Sequence, residues 1–131
     1  MMYEDISATK GTGTPIDNLI SLEVGKISRI RAGHEGVPED YLAFLWEIGF
    51  GELGDAAYML YDGPIKPEEI YGRLTPGLAK ILLFGDDFQG FNAGFRVTDW
   101  AVVEIDSADT EVIEVAADFQ TFIRYKIGEL S

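Results

Sequence analysis

Between Lys80 and Val115 the chain reads KILLFGDDFQGFNAGFRVTDWAVVEIDSADTEVIEV, a succession of short apolar runs cut by Gly, Asp, Asn and Ser. Runs of about four to eight residues rich in Val, Ile and Phe, set between turn formers, are the pattern of consecutive antiparallel strands. Lys80 to Phe84 is apolar on both faces, as a covered central strand should be. Gly85-Asp86-Asp87 closes it, and Gly90 to Val97 makes a short irregular strand. Asp99 to Asp106 and Thr110 to Val115 then read as a hairpin joined by Ser107-Ala108-Asp109.

The register of that hairpin decides what it presents. With Asp106 opposite Thr110, residues Ala101, Val103, Ile105, Ile113 and Val115 share one face, expected to be core. Trp100, Val102, Glu104, Asp106, Thr110, Val112 and Glu114 share the other, an acidic face around one tryptophan. A slip of one residue would exchange the faces of a strand.

The flanking segments supply helices. Residues 1–13 carry Gly11 and Gly13 without periodic apolar pattern and are expected to be a flexible N-terminal tail. Residues 14–131 are expected to form one domain, a size that buries roughly two-thirds of the unfolded surface. Thr14-Pro15-Ile16-Asp17 has the form of a helix start. Ile16, Leu19, Ile20, Val24, Ile27 and Ile30 continue it at helical spacing until Gly33, with Lys26, Arg29 and Arg31 off the stripe. Pro38-Glu39-Asp40 opens a second helix with Tyr41, Leu42, Phe44, Leu45 and Ile48 on its apolar face, stopped by Gly49.

The loop from Gly49 to Gly54 is too glycine-rich to expect regular structure. Ala56 to Tyr61 reads as the first strand, Pro67 to Tyr71 as a single helical turn, and Thr75-Pro76-Gly77 as a turn. Asp118 caps a last helix whose Phe119, Phe122, Ile123, Ile127 and Leu130 seal the sheet. The expectation is an α+β fold: a mainly antiparallel sheet of about four to six strands packed by N-terminal helices and a C-terminal helix.

Charge narrows the partners. The formal charge is −13, and residues 1–33 carry four acids and four bases, so the whole excess falls in residues 34–131. Such a domain is repelled by nucleic acid and by anionic membrane, and it attracts a basic protein. Acidity also serves solubility alone. No apolar run approaches the ~18 residues of a membrane span, and no basic start precedes an apolar run, so neither a span nor a secretory leader is expected. The chain has no cysteine, which excludes disulfides, thiolate catalysis and Cys-type zinc sites. A cytoplasmic protein is the default.

Residue chemistry points to no reaction. His34 is the lone histidine, in a loop, and no G-x-S-x-G turn accompanies it. Asp86-Asp87 could hold a cation or act with a third carboxylate, but adjacent strand-end aspartates more often bond backbone N–H groups in turns. Gly85 to Gly90 lacks the Lys-Ser or Lys-Thr of a phosphate loop. Tyr58, Tyr61, Tyr71 and Trp100 could line a groove on the sheet, although strand aromatics are usually packing. No catalytic residue, cofactor or metal ligand is assigned.

Four pieces of the chain resemble the SUKH superfamily, which includes fungal Smi/Knr cell-wall regulators and many small bacterial proteins. Val37-Pro38-Glu39-Asp40-Tyr41-Leu42-Ala43-Phe44-Leu45 followed by Gly49 and Gly51 is similar to its Leu-Pro-x-x-Tyr-x-x-Phe-Leu helix and glycines. Tyr61 with Pro67-Glu68-Glu69-Ile70 resembles its aromatic strand and one-turn helix. Ile81 to Gly90 resembles its apolar strand, Phe-Gly and acidic turn, and Asp118-Phe119-Gln120-Thr121-Phe122-Ile123 its closing helix. More residues than usual separate Leu22-Glu23 from Pro38.

The resemblance implies an α+β fold and a binding role. Many bacterial relatives are immunity proteins that neutralise a toxin, often a nuclease, and the fungal ones are regulatory interaction proteins. The expected function is therefore a non-enzymatic binding domain, an immunity protein for a cognate basic toxin. A regulatory or scaffold protein without a toxin is the alternative, and an acidic hydrolase using Asp86, Asp87 or Glu104 a more distant one. The expected contact surface is Trp100, Glu104, Asp106 and Glu114, with Asp86 and Asp87 as its rim; an aromatic anchor amid carboxylates suits a basic protein. The oligomeric state is not legible.

Overall fold

A computed structural model describes residues 2–72 and 75–131 of the 131-residue chain. Its centre is a six-stranded, wholly antiparallel meander in which every strand neighbours the next in sequence: β1 (Gly51–Leu53), β2 (Tyr58–Ile65), β3 (Ile81–Asp86), β4 (Phe91–Arg96), β5 (Ala101–Asp106) and β6 (Val112–Ala116). The helices are α1 (Glu4–Ser7), α2 (Val24–Gly33), α3 (Glu39–Glu47), α4 (Glu68–Tyr71) and α5 (Phe119–Leu130), with a 3-10 turn at Pro76–Leu78. The fold is α+β with an antiparallel sheet, as expected. No helix of the described residues is long and apolar enough to cross a membrane.

Both faces of the sheet are buried, by different means. On one, α2, α3 and α5 close over Tyr58, Leu60, Phe84, Ala93, Phe95 and Val102. Aromatic rings dominate this layer: Phe84 lies 4.9 Å from Phe95 and 5.2 Å from Phe119, and Tyr41 lies 5.1 Å from both Phe95 and Phe119. All but the tilted Phe84–Phe95 pair are edge-to-face, an arrangement that adds to what area burial contributes. On the other face, Leu78, Ile81, Leu83, Val103 and Ile105 form a smaller cluster. Tyr61, Ile65, Tyr71 and Val112 pack around it.

Local chemistry sets the helix ends. Pro38 precedes α3, and Glu39 and Asp40 occupy its first turn, where the helix dipole favours acids. Asp118 Oδ1 accepts the Thr121 N–H at 2.8 Å and caps α5, a bond contributing about 1 kcal/mol. Gly49, just past α3, has φ +134°, and a Cβ there would collide with the Ile20 carbonyl. Ile20 and Phe50 exchange backbone hydrogen bonds at 2.9 Å beside it.

That exchange corrects the reading of residues 14–33 as one helix. The helix begins only at Val24; residues 14–23 run irregularly, with Ile20 bonded to Phe50 and the Leu22 N–H to the Leu45 carbonyl. Ile16, Leu19 and Leu22 are buried while Ile20 and Val24 are exposed, so the buried set is not the helical stripe. Asp17 accepts N–H groups from Gly11 and Gly13 and the Thr14 hydroxyl, which makes it a turn anchor.

The N-terminal residues also differ from the tail expected over 1–13, of which Met1 lies outside the described residues. Tyr3 is fully buried, 5.2 Å from Phe44, and its hydroxyl donates to the Asp40 carbonyl at 2.8 Å. Arg124 pairs with Asp5 at 2.9 Å and ties this segment to α5. The glycine-rich Gly49–Gly54 segment is regular in part, since β1 pairs with β2 there.

The hairpin register differs from expectation by one residue, which exchanges the faces of β6 but leaves Ala101, Val103 and Ile105 of β5 buried as expected. Ile105 pairs with Val112 and Glu104 with Ile113, one residue away from the register that sets Asp106 opposite Thr110, because the turn runs on to an Asp106–Glu111 backbone bond with Thr110 at φ +57°. Val102, expected on the acidic face, belongs to the helix-covered core, and Trp100 packs on that core, 5.6 Å from Phe95. Val103 and Ile105 lie on the opposite face. Ile113 and Val115, expected in the core, are exposed on the edge strand. Alternation could not orient β5, because the sheet is buried on both sides of it.

Candidate partner-binding surface

The six residues expected to form one surface fall into four places. Asp86, Asp87 and Asp106 gather at one end of the sheet, where the β3–β4 and β5–β6 turns meet: the Ser107 N–H donates to the Gly90 carbonyl at 2.8 Å. Trp100 sits at the opposite end, before β5. There it lines a cavity of about 520 Å³ with His34, Lys66 and Lys80. Glu104 lies in a groove between β6 and α5, with Tyr125 and Lys126. Glu114 stands on the other side of the sheet, beside Val103, and pairs with Arg96, which also holds Asp99 at 2.7 Å. An acidic face centred on Trp100 is thus not what the fold builds.

What it builds at the Asp86 end is a polar network under an apolar rim. The Tyr61 hydroxyl donates to Asp86 Oδ2 at 2.7 Å and accepts from Asn92 Nδ2 at 3.1 Å. The Tyr71 hydroxyl donates to Asn92 Oδ1 at 2.6 Å. Asn92 is a buried polar side chain, and these bonds satisfy it, as a buried amide requires. Four elements contribute: β2 brings Tyr61, α4 Tyr71, β3 Asp86 and β4 Asn92. Tyr61 ionises with difficulty, first because it is desolvated and then because it bonds Asp86. Tyr71 is likewise shifted upward by burial, with the Asp106 and Asp86 charges adding to it.

The aspartates next to this network are turn anchors. Asp86 Oδ1 accepts the Phe88 N–H at 2.9 Å. Asp87 Oδ1 accepts from Gln89 at 2.8 Å and Phe91 at 3.1 Å, and Asp106 Oδ1 from Ala108 at 2.9 Å. These are the side-chain-to-backbone bonds typical of such positions.

The turn they hold carries two phenylalanines outward. Phe88 is 50% exposed at φ +62°, Phe91 is 40% exposed, and Ile70 of α4 is 46% exposed. Tyr61, Ile70, Asp86, Phe88, Gly90, Phe91 and Asn92 line a cavity of about 210 Å³. A bulky residue with positive φ costs of order 1–3 kcal/mol, and the half-burial of this ring offsets it only in part. Two half-exposed aromatic rings and Ile70 thus stand beside the carboxylates of Asp86, Asp87 and Asp106.

Phe88, Phe91, Ile70 and Asn92 escape a reading of the sequence by residue chemistry. The signal for them is local: Asp-Asp-Phe-Gln-Gly-Phe places two large apolar residues inside a turn whose length and Asp pair already mark it as solvent-facing. Tyr61 and Tyr71 do meet at the site, whereas Tyr58 is buried under α5, its ring 6.2 Å from Phe122. Comparison with protein-family models finds no match to this chain, and comparison with curated proteins finds none either.

Proposed function

We propose that this chain is a non-enzymatic protein-binding domain that docks a basic protein on the Asp86 end of its sheet. In its most specific form it is an immunity protein of the SUKH type, acting in the cytoplasm against a cognate basic toxin, a nuclease being one such class. The observation that carries the reading is the rim of Phe88, Phe91 and Ile70 beside Asp86, Asp87 and Asp106. Aromatic anchors at the centre of an interface supply affinity, and surrounding charges speed encounter and select a partner of opposite sign. The net charge of −13 supports the same sign of partner.

The test is capture from the source cells with the wild-type chain and with a Phe88→Ser/Phe91→Ser variant as baits. A Lys- and Arg-rich protein retained by the wild type, released by high salt and lost with the variant is the expected result. Expressed alone that partner should be toxic, and co-expression of the wild-type chain should suppress the toxicity. A captured partner of no toxicity selects a regulatory interaction protein. Equal capture by both baits removes this surface.

A further inference from the structure

We infer that the 210 Å³ cavity beside Asp86 is a receptor for one guanidinium group, the head of an arginine side chain supplied by the partner. The inference deepens the docking proposal and rests on it for its biological setting, but the chemistry of the cavity argues for it directly. Three of the seven lining residues are aromatic, Tyr61, Phe88 and Phe91, and the ionisable carboxyl among them is Asp86. Aromatic faces attract a cation within about 6 Å of the ring, and a guanidinium stacks on them as a plane.

Asp86 is prepared for such a ligand. Its Oδ1 is held by the Phe88 N–H and its Oδ2 by the Tyr61 hydroxyl. A carboxylate offers about four acceptor sites, so each oxygen keeps one for a forked, two-point contact from a guanidinium. The network fixes the carboxylate before anything arrives: Tyr61 is itself held by Asn92, and Asn92 by Tyr71. An apolar occupant would desolvate Asp86 without returning a hydrogen bond, which is costly. An anion would meet Asp86 and Asp87 at the same turn. Liquid water takes about 30 Å³ per molecule, so the volume corresponds to about seven waters, enough for a guanidinium and the methylenes that carry it. Phe88 at φ +62° forms one wall, and its strain is then the cost of presenting a π face that the fold itself leaves half exposed.

The experiment needs no partner. Backbone amide NMR shifts are followed while the whole chain is titrated with N-acetyl-arginine methylamide, its lysine counterpart and its citrulline counterpart, the last being the neutral near-isostere of arginine. The expected result is saturable shifts confined to residues 86–92 and 70–71, with a Kd on the order of millimolar for arginine, weaker binding of lysine, and none of citrulline. Asp86→Asn, which keeps the turn bond, and Phe91→Leu, which keeps apolar volume, should each weaken arginine by at least about tenfold. Retained amide dispersion shows that each variant is folded. Equal shifts with citrulline, shifts elsewhere only, or no saturable response overturn the inference, and a preference for lysine overturns the guanidinium assignment. Capture that depends on Phe88 and Phe91 without an arginine response leaves the docking surface standing and removes the receptor. An arginine response without capture does the reverse.

Discussion

The Tyr61 hydroxyl sits between Asp86 Oδ2, to which it donates at 2.7 Å, and Asn92 Nδ2, from which it accepts at 3.1 Å. One phenol thereby couples the end of β3 to β4 and aligns a carboxylate that the backbone alone would leave free to rotate. Tyr61→Phe removes both bonds and keeps the ring. A hydrogen bond to a charged group contributes about 1.5–3 kcal/mol, and partial exposure lowers that figure. We expect a loss of about 1–2 kcal/mol in urea denaturation with an unchanged m-value. A loss within error of zero would mean that the network adds nothing to stability.

Phe88 should separate binding from stability. At φ +62° and half exposed, it bears a backbone cost of about 1–2 kcal/mol, close to what burying half of a Phe side chain returns. Glycine removes that cost but loses about 0.5–1 kcal/mol in unfolded-state entropy. Phe88→Gly is therefore expected to change stability by no more than about 1 kcal/mol while abolishing capture of the partner. Loss of binding at nearly unchanged stability is the signature of a residue kept for function. A variant destabilised by more than about 2 kcal/mol would instead make Phe88 a structural residue.

The parts of this fold legible in the sequence are those whose signals are local. Pro38 before Glu39 and Asp40, Asp118 three residues before Thr121, and the apolar run from Ile81 to Phe84 each specify their element within a few positions. The segment from Thr14 to Glu23 was not legible, because its apolar spacing is helical while its backbone bonds go to Phe50 and Leu45 across the domain. The faces of β5 were hidden by burial on both sides, and one extra residue in the β5–β6 turn reversed those of β6. Among the candidate residues, Asp86, Asp87 and Asp106 converge because three turns of a meander alternate between two ends. Trp100 lies at the other end for the same reason, which composition does not reveal.

The first residues provide a sharper stability test. Tyr3 is fully buried against Phe44, and its hydroxyl reaches the Asp40 carbonyl. Truncating a buried aromatic to alanine costs about 3–5 kcal/mol, a large share of the 5–15 kcal/mol of a typical domain. Tyr3→Ala should lower the urea midpoint accordingly, and Tyr3→Phe by about 1 kcal/mol for the lost hydroxyl. A Tyr3→Ala variant as stable as the wild type would restore the view of residues 1–13 as a tail.

Alkaline pH should unfold the chain through its tyrosines. Tyr3, Tyr41, Tyr58 and Tyr61 all have their ionisation pushed upward, in each case first by burial, with the carboxylates of Asp40, Asp62, Glu104 and Asp86 adding to it in turn. In the unfolded chain the same groups lose their protons near pH 10. Above that pH the unfolded state binds fewer protons than the folded one, so stability is fully present below about pH 10 and falls as pH rises beyond it. Each of these tyrosines that stays protonated in the folded state adds a slope approaching about 1.4 kcal/mol per pH unit once its unfolded-state ionisation is complete, and the buried Tyr3, Tyr41 and Tyr58 contribute most. Urea midpoints should accordingly be flat up to about pH 9 and drop steeply above about pH 10. Tyrosinate absorbance from these residues should rise together with the loss of near-UV circular dichroism. A Tyr41→Phe/Tyr58→Phe variant should show a shallower decline. Tyrosinate formation by these four residues while the near-UV signal stays native would show that water reaches the hydroxyls, and the predicted slope would not appear.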